Sequence, residues 1–204
     1  MNILEEIIAY KKTEVERRKL EAKSSFLENS FYFNRETLSL TQSLKTGNRS
    51  GIIAEFKRRS PSKGVINDKA SLIDVTMGFT ENGASSISVL TDEHFFGGSN
   101  NDLIEARIND IPILRKDFII DEYQVTEAKS IGADVILLIA ACLTPAEVKR
   151  LAVFARSLGL EVLLELHDEK ELGHICEETE LIGINNRNLK TFEVNIDQSL
   201  KMAE

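Results

Sequence analysis

Short apolar segments alternate with amphipathic stretches along the chain from residue 52 onward. The segments are rich in Ile, Leu and Val, which is typical of strands buried on both faces of a parallel sheet. The predicted strands are 52–57, 86–90, 112–117, 134–139, 161–166 and 181–185. The predicted helices are 71–82, 100–107, 121–131, 144–158, 168–178 and 195–203. Successive strand–helix units predict an α/β protein whose parallel sheet is covered by helices.

The helix over 144–158 has the clearest boundary signals. The segment 144–147 (Thr-Pro-Ala-Glu) combines an N-cap residue, a proline in the first turn and the glutamate of a capping box. Gly159 stands where a helix commonly ends in a glycine. The same order of helix, glycine and strand recurs at Gly83 and Gly132, and this weak internal repeat supports repeated βα units.

Two architectures fit such units, an open doubly wound sheet and a (β/α)8 barrel. Neither Gly-x-Gly-x-x-Gly nor a Walker A pattern occurs, so the sequence does not favour an open nucleotide-binding sheet. Barrel enzymes carry functional residues at the carboxyl ends of several strands. Four predicted strands end in such residues: Glu55 and Lys57, Lys116 and Asp117, Glu165 and His167, Asn185 and Arg187. The pattern therefore predicts a TIM (β/α)8 barrel with an N-terminal helical extension.

The extension is predicted from an amphipathic helix over 2–23 and a short helix near 36–46. We expect residues 1–50 to pack on a barrel formed by residues 51–204. A complete barrel of this class has about 250 residues, whereas the chain has 204. We therefore expect it to extend only through about strand 6 and helix 6, with strands 7 and 8 absent. The full-length protein is expected to be a monomer, and a truncated one to self-associate through open sheet edges.

Composition narrows the functional class. The formal net charge is −8 and the sequence pI is about 5.1, which argues against a nucleic-acid partner. No apolar run approaches the roughly 20 residues of a membrane span, and the N-terminus lacks the features of a secretory signal. Two cysteines without ligand-like spacing predict neither a disulfide framework nor a zinc site. We expect a cytoplasmic protein.

Charge is concentrated after the first strand. Residues 55–64 carry four positive side chains and one negative, which would favour a small carboxylate or phosphate ligand. Glu55 and Lys57 share one face of their strand because side chains two apart point to the same side. A buried ion pair without chemistry is the alternative explanation for that pair. The turn 95–99 would either close over an aromatic ligand or form a packed turn, and the three histidines are too scattered for a metal site.

Six segments closely resemble the indole-3-glycerol phosphate synthase family. They are IIAEFKRRSPSKG (52–64), SVLTDEHFFGGS (88–99), ILRKDFIIDEYQ (113–124), GADVILLI (132–139), LLELHDEKEL (163–172) and IGINNRNLKTFEVN (182–195). The resemblance implies a carboxy-lyase of tryptophan biosynthesis that needs no cofactor. Its reaction closes the indole ring of 1-(2-carboxyphenylamino)-1-deoxyribulose 5-phosphate, with loss of carbon dioxide and water.

The resemblance also implies roles for eight residues. Lys116 matches the general acid at the C2′ carbonyl oxygen, and Glu165 matches the carboxylate that manages protons in the later steps. Lys57 and Glu55 match residues that bind the substrate carboxylate and assist dehydration, and the sequence leaves open which lysine serves which oxygen. The other matches are Asn185, which orients the intermediate, Ser60 and Arg187, which contact substrate and phosphate, and Phe96, near the anthranilate ring.

Arg115 replaces the small or apolar residue expected before Lys116. Its opposite parity on the strand should turn it outward, away from the chemistry. Two alternatives to the synthase remain at this point. One is another phosphosugar-converting barrel, such as a phosphoribosylanthranilate isomerase. The other is a catalytically impaired barrel fragment that binds the substrate weakly, because the activity of the 204-residue chain itself does not follow from the resemblance.

Overall fold

The computed structural model describes residues 2–187, 194 and 196–203. In chain order, the elements are α1 (Ile3–Glu21), α2 (Ser24–Leu27), α3 (Leu40–Lys45), β1 (Ile53–Phe56), β2 (Arg59–Ser60), β3 (Gly64–Val65), α4 (Leu72–Glu81), β4 (Ser86–Leu90), α5 (Asn100–Ala106), β5 (Ile113–Lys116), α6 (Glu122–Ser130), β6 (Val135–Ile139), α7 (Pro145–Ser157), β7 (Glu161–Leu166), β8 (Leu181–Ile184) and α8 (Asp197–Ala203). Two 3-10 helices cover Ala140–Cys142 and Glu169–His174.

Six strands form one curled, fully parallel sheet in the order β1-β4-β5-β6-β7-β8. Each strand therefore pairs with the next long strand along the chain, and helices occupy the connections. Strands β2 and β3 form a separate antiparallel hairpin. Within the described residues this is a partial TIM barrel, so the predicted α/β barrel class is confirmed.

The two faces of the sheet bury two different apolar clusters. Alternate residues such as Ile136 and Leu138 face the helices and belong to the larger cluster. The intervening residues, including Leu114, Val135 and Leu137, form a smaller cluster on the inner face. Each fully buried Leu or Ile contributes roughly 1.5–3 kcal/mol. The inner face of the sheet is therefore a packed apolar floor.

Residues near 35–45 close the end of the sheet where the strands begin. Arg35 pairs with Asp134 just before β6, and the hydroxyl of Ser39 donates to Glu161 at the start of β7 (2.5 Å). Leu40 is completely buried in the inner cluster. This segment therefore seals the end opposite the carboxyl ends of the strands.

Helix α7 begins and ends where the sequence predicts. Thr144 accepts a hydrogen bond from the amide of Glu147, and the Glu147 side chain accepts one from the amide of Thr144, which completes the capping box. Gly159 follows the helix with φ of +77°, a left-handed conformation that glycine adopts without a Cβ penalty. The chain then turns directly into β7.

Three parts of the secondary structure differ from the prediction. The helix predicted over 168–178 is only the 3-10 helix Glu169–His174, because Gly173 costs a helix interior about 1 kcal/mol relative to Ala and the His174 ring contacts the Glu171 carbonyl instead (2.9 Å). The short helix predicted near 36–46 is confined to α3. Helix α2 and the β2–β3 hairpin were not predicted. Residue 195, the start of the last predicted helix, lies outside the described residues.

Candidate active site

A cavity of about 390 Å³ lies at the carboxyl ends of the strands. Seven of the eight residues implied by the family resemblance line it: Lys57, Ser60, Phe96, Lys116, Glu165, Asn185 and Arg187. The eighth, Glu55, contacts two of the lining lysines from below. The structure therefore brings together residues that are up to 132 positions apart, from Glu55 to Arg187.

Glu55 lies between two lysines. Its Oε1 accepts a hydrogen bond from Lys57 Nζ at 2.7 Å, and its Oε2 is 3.6 Å from Lys116 Nζ. The Ser88 hydroxyl also donates to Oε2, at 3.2 Å. Burial alone would raise the pKa of Glu55, but the charges of Lys116 and Lys57 outweigh it and hold the pKa below its ordinary value. Glu55 is therefore an anion that fixes two ammonium groups at the floor of the cavity.

Glu165 faces the cavity from the end of β7. Asn185 Nδ2, which follows β8, donates to Glu165 Oε1 at 2.9 Å. The ring nitrogen Nε2 of His167 lies 3.5 Å from the same oxygen. The Glu165 side chain is only 16% exposed, so its carboxylate is held in one place and partly desolvated.

The basic segment after β1 is a fixed hairpin and not a free loop. Arg58 makes two hydrogen bonds to the Asp102 carboxylate, at 2.6 and 2.9 Å, and Arg59 donates to the carbonyls of Glu93 and His94. Two of the segment's positive charges are thus used for anchoring. Ser60 and Lys63 line the cavity.

The turn after β4 is both a packed turn and part of the cavity wall. Phe96 lines the cavity with its ring 5.9 Å from that of Phe118. Gly98 passes so close to Leu90 that an added Cβ would lie 2.0 Å from the Leu90 carbonyl oxygen. The turn is therefore packed, and closure over an aromatic ligand stays a prediction.

One wall of the cavity was not predicted. Ile3, Leu4 and Ile7 of α1 line it, so the N-terminal helix contributes apolar surface to the site. The sequence predicts the apolar stripe of this helix but not that the stripe packs beside the cavity. One turn beyond Ile7 the same stripe contains Lys11, which is 1% exposed.

Lys11 fastens α1 to the ends of β4 and β5. Its Nζ lies 2.8 Å from Asp92, 2.9 Å from Asp117 and 2.6 Å from Glu14. Burial would lower the pKa of Lys11, but Asp117 and Asp92 raise it above its ordinary value. Asp117 directly follows Lys116 and lines the cavity, so the ion cluster connects the helix to the strand that carries one of the candidate catalytic lysines.

Arg115 points to the opposite side of the sheet from Lys116, as parity predicts. Its side chain is completely buried on that side. Its guanidinium group contacts Glu127 at 2.5 Å and Asp117 at 3.3 Å, and donates to the Gln124 carbonyl at 2.8 Å. Arg115 therefore supports Asp117 from below the cavity, a role that the sequence prediction missed.

The described residues contain no cluster of three or more His, Cys, Asp or Glu side chains placed to hold a metal ion. Each helix in the described ranges is also too short or too polar to cross a membrane. The chemistry available in the cavity is that of ammonium, carboxylate, amide and guanidinium groups beside an apolar wall.

Strands, helices and cavity together define a TIM-barrel enzyme with its site at the carboxyl ends of the strands. The chain belongs to the indole-3-glycerol phosphate synthase family, whose family model matches residues 4–204. This family consists of carboxy-lyases of tryptophan biosynthesis that act on a phosphosugar-anthranilate substrate, and the predicted family and enzyme class are confirmed.

Two relatives identified by sequence cover nearly the whole chain, and a solved structure shows a weaker similarity of fold. An indole-3-glycerol phosphate synthase from Bacteroides thetaiotaomicron is 48% identical over 203 residues, which are 99% of this chain and 78% of that protein. The enzyme of the same name from Salinibacter ruber is 44% identical over 208 residues, 100% of this chain and 77% of that protein. A xylose isomerase-like TIM barrel protein from Mycobacterium smegmatis is 16% identical with a TM-score of 0.39, covering 67% of this chain and 64% of that one.

Proposed function

We propose that this chain converts 1-(2-carboxyphenylamino)-1-deoxyribulose 5-phosphate into indole-3-glycerol phosphate, carbon dioxide and water in the cavity described above. The observation that carries the proposal is the convergence of Lys57, Lys116 and Glu165 in one partly desolvated cavity. Residues 1–50 serve as an N-terminal extension of the barrel of residues 51–204, and α1 supplies part of the cavity wall.

Substrate binding divides between the two sides of the cavity. The apolar side, formed by residues including Ile7, Phe96 and Phe118, accepts the aromatic ring. Ser60 and Arg187 on the polar side contact the ribulose phosphate. Lys57 pairs with the ring carboxylate, with Glu55 holding the ammonium group in place. The two ends of the substrate are thereby fixed before any bond changes, which is where much of the rate acceleration of such sites arises.

Ring closure needs an acid. The aromatic carbon that bears the carboxylate attacks the C2′ carbonyl carbon, and Lys116 gives a proton to the carbonyl oxygen as the new carbon–carbon bond forms. Loss of carbon dioxide then returns the bonding electron pair to the ring and restores its aromaticity. Asn185 orients the intermediate while it also holds Glu165.

Dehydration needs an acid and a base. The C2′ hydroxyl leaves as water after taking a second proton from an ammonium group, and Glu165 removes a proton from the C1′ carbon to form the indole double bond. Two protons are donated and one is collected. Each turnover therefore takes one proton from solvent, which balances the departure of a carboxylate as neutral carbon dioxide.

The test is a direct assay of the purified 204-residue chain with the anthranilate-linked ribulose phosphate. The expected result is growth of indole absorbance with release of one carbon dioxide per indole. Phosphoribosylanthranilate serves as the control substrate and should not be isomerised. Isomerisation without indole formation would replace the proposal by the isomerase alternative, and weak substrate binding with no turnover would favour the impaired fragment.

A further inference from the structure

His167 lies between the carboxylate of Glu165 and a second carboxylate. Its Nε2 is 3.5 Å from Glu165 Oε1, and its Nδ1 is 3.7 Å from Glu171 Oε2. The backbone amide of His167 donates to the same Glu171 oxygen at 2.6 Å. The imidazole thus presents one ring nitrogen to the cavity carboxylate and the other to a carboxylate outside the cavity lining.

The surroundings keep this arrangement in place. Glu171 belongs to the 3-10 helix Glu169–His174, whose His174 ring contacts the carbonyls of Glu171 and Leu143, each at 2.9 Å. The charges of both carboxylates also act on the Cys142 thiol. Burial, together with the charges of Glu165 and Glu171, raises the pKa of Cys142 to about 12, so the thiol stays neutral. The Glu165 and Glu171 carboxylates thus approach the two nitrogens of the ring.

The reaction creates a need for such a group. When Glu165 removes the C1′ proton it becomes a carboxylic acid, and it must lose that proton before the next turnover. The side chains of Glu165 and Glu171 are each 16% exposed and that of His167 is 13% exposed. An imidazole between two carboxylates is well suited to pass a proton, because it can hold one on either nitrogen.

We propose that His167 relays the proton collected by Glu165 to Glu171 and so restores the Glu165 carboxylate. The inference rests on the proposed function of Glu165. In balanced form, the Glu165 acid gives its proton to Nε2, the Nδ1 proton passes to the Glu171 carboxylate, and Glu171 releases it to water. Between turnovers the Nε2 proton returns to water and another is taken up at Nδ1, which restores the starting tautomer. His167 acts through Glu165 and is a positioning and relay residue.

The test compares His167→Ala and His167→Asn with the unaltered chain at saturating substrate. We expect kcat to fall about 10-fold or more in both variants with little change in KM. Added imidazole should restore kcat in His167→Ala in proportion to its concentration, because the cavity left by the ring gives it access to Glu165. His94→Ala is the matched control: His94 is exposed, stacks on Tyr10, and should show neither loss nor rescue.

A purely structural role for His167 predicts other outcomes. His167→Asn, which still donates a hydrogen bond, would then keep its activity, and imidazole would have no effect; either result overturns the relay. A second arm needs no turnover. Long-range ¹H–¹⁵N spectra should show that Glu165→Gln perturbs Nε2 and that Glu171→Gln perturbs Nδ1, while the neighbouring Glu169→Gln perturbs neither.

The two arms separate failure of the relay from failure of the proposed function. Ring nitrogens that ignore both substitutions would refute the relay even in an active enzyme. An inactive unaltered chain with responsive ring nitrogens would instead refute the proposed function, and with it the need for a relay.

Discussion

The ammonium nitrogen of Lys116 lies 3.6 Å from Oε2 of Glu55, although the two residues belong to different strands. The other oxygen of the same carboxylate accepts a hydrogen bond from Lys57. One anion thus holds two cations at the floor of the cavity, and each ammonium group is kept next to its own oxygen of the Glu55 carboxylate. This arrangement suits a reaction in which one substrate oxygen takes two protons in turn, first as a carbonyl and then as a hydroxyl.

Replacing Lys116 tests its role as the acid of ring closure. Lys116→Met should lower kcat about 10²- to 10⁴-fold, the usual contribution of a positioned acid, while the thermal unfolding midpoint stays close to that of the unaltered chain. Indole absorbance measures the first quantity and circular dichroism the second. Lys149→Met, at an exposed position of α7, is the matched control. Turnover near the normal rate in Lys116→Met would remove the assignment.

Replacing Glu165 separates proton transfer from binding. Glu165→Gln keeps the size of the side chain and a hydrogen bond to Asn185, but cannot accept the C1′ proton. We expect the loss to fall mainly on kcat, and Glu165→Asp to lie between Gln and the unaltered chain because its carboxylate is present but withdrawn. Steady-state kinetics measures both. A change confined to KM would make Glu165 a binding residue.

The sequence predicts which strand-end residues come together but not how they are enclosed, for one physical reason. Strand parity is a local, period-two property, so the common face of Glu55 and Lys57 follows from neighbouring residues alone. The wall formed by α1 depends on contacts between Lys11 and carboxylates about a hundred residues away, which no local pattern contains. A fully buried lysine also contradicts the usual preference of that residue for solvent. The same holds for Arg115, whose partners are set by packing of α6 against the sheet.

Lys11 is expected to be important for stability. Lys11→Met leaves Asp92 buried without its cation and Asp117 with Arg115 alone, and removal of one partner from a buried ion cluster costs about 3–5 kcal/mol. Urea unfolding should show a loss of that size, accompanied by a higher KM because Ile3, Leu4 and Ile7 line the cavity. Lys12→Met is the control, because Lys12 is the next residue along the helix and its side chain is exposed. Equal stability of the two variants would contradict a clamping role.

The same cluster predicts how stability depends on acid. Burial would raise the pKa of Asp117, but Lys11 and Arg115 hold it well below its ordinary value, and the Arg115 and Arg18 charges likewise lower the pKa of the buried Glu127. A carboxylate with a depressed folded-state pKa stabilises the fold above its unfolded pKa of about 4 and loses this contribution as the pH falls toward the folded value. The free energy of unfolding should therefore decrease steadily below about pH 5.

Asp117→Asn tests the origin of that slope. The variant should be less stable at neutral pH but should lose less stability on acidification than the unaltered chain, because one titrating group has been removed. Urea midpoints measured at several acidic pH values give the comparison. Asp110→Asn, at an exposed position, should leave the slope unchanged. An unchanged slope in Asp117→Asn would show that other carboxylates control the acid transition.

Gly98 and Gly78 form a matched pair that tests the packing beneath Phe96. A Cβ on Gly98 would meet the Leu90 carbonyl oxygen at 2.0 Å and the Thr91 nitrogen at 3.1 Å, and both are backbone atoms that cannot turn aside. Gly98→Ala should therefore destabilise the fold by about 1–3 kcal/mol. It should also raise KM, because the displaced turn carries Phe96 into or away from the cavity.

A Cβ on Gly78, in the middle of α4, meets nothing within 4 Å. Gly78→Ala should therefore stabilise the fold by up to about 1 kcal/mol through helix propensity. Urea unfolding measures the stability of the two variants, and steady-state kinetics measures their KM. A steric clash with backbone predicts that Gly98→Ala is destabilised with a raised KM, while Gly78→Ala is stabilised with KM unchanged. If loss of glycine flexibility were the cause, the two variants would change stability in the same direction.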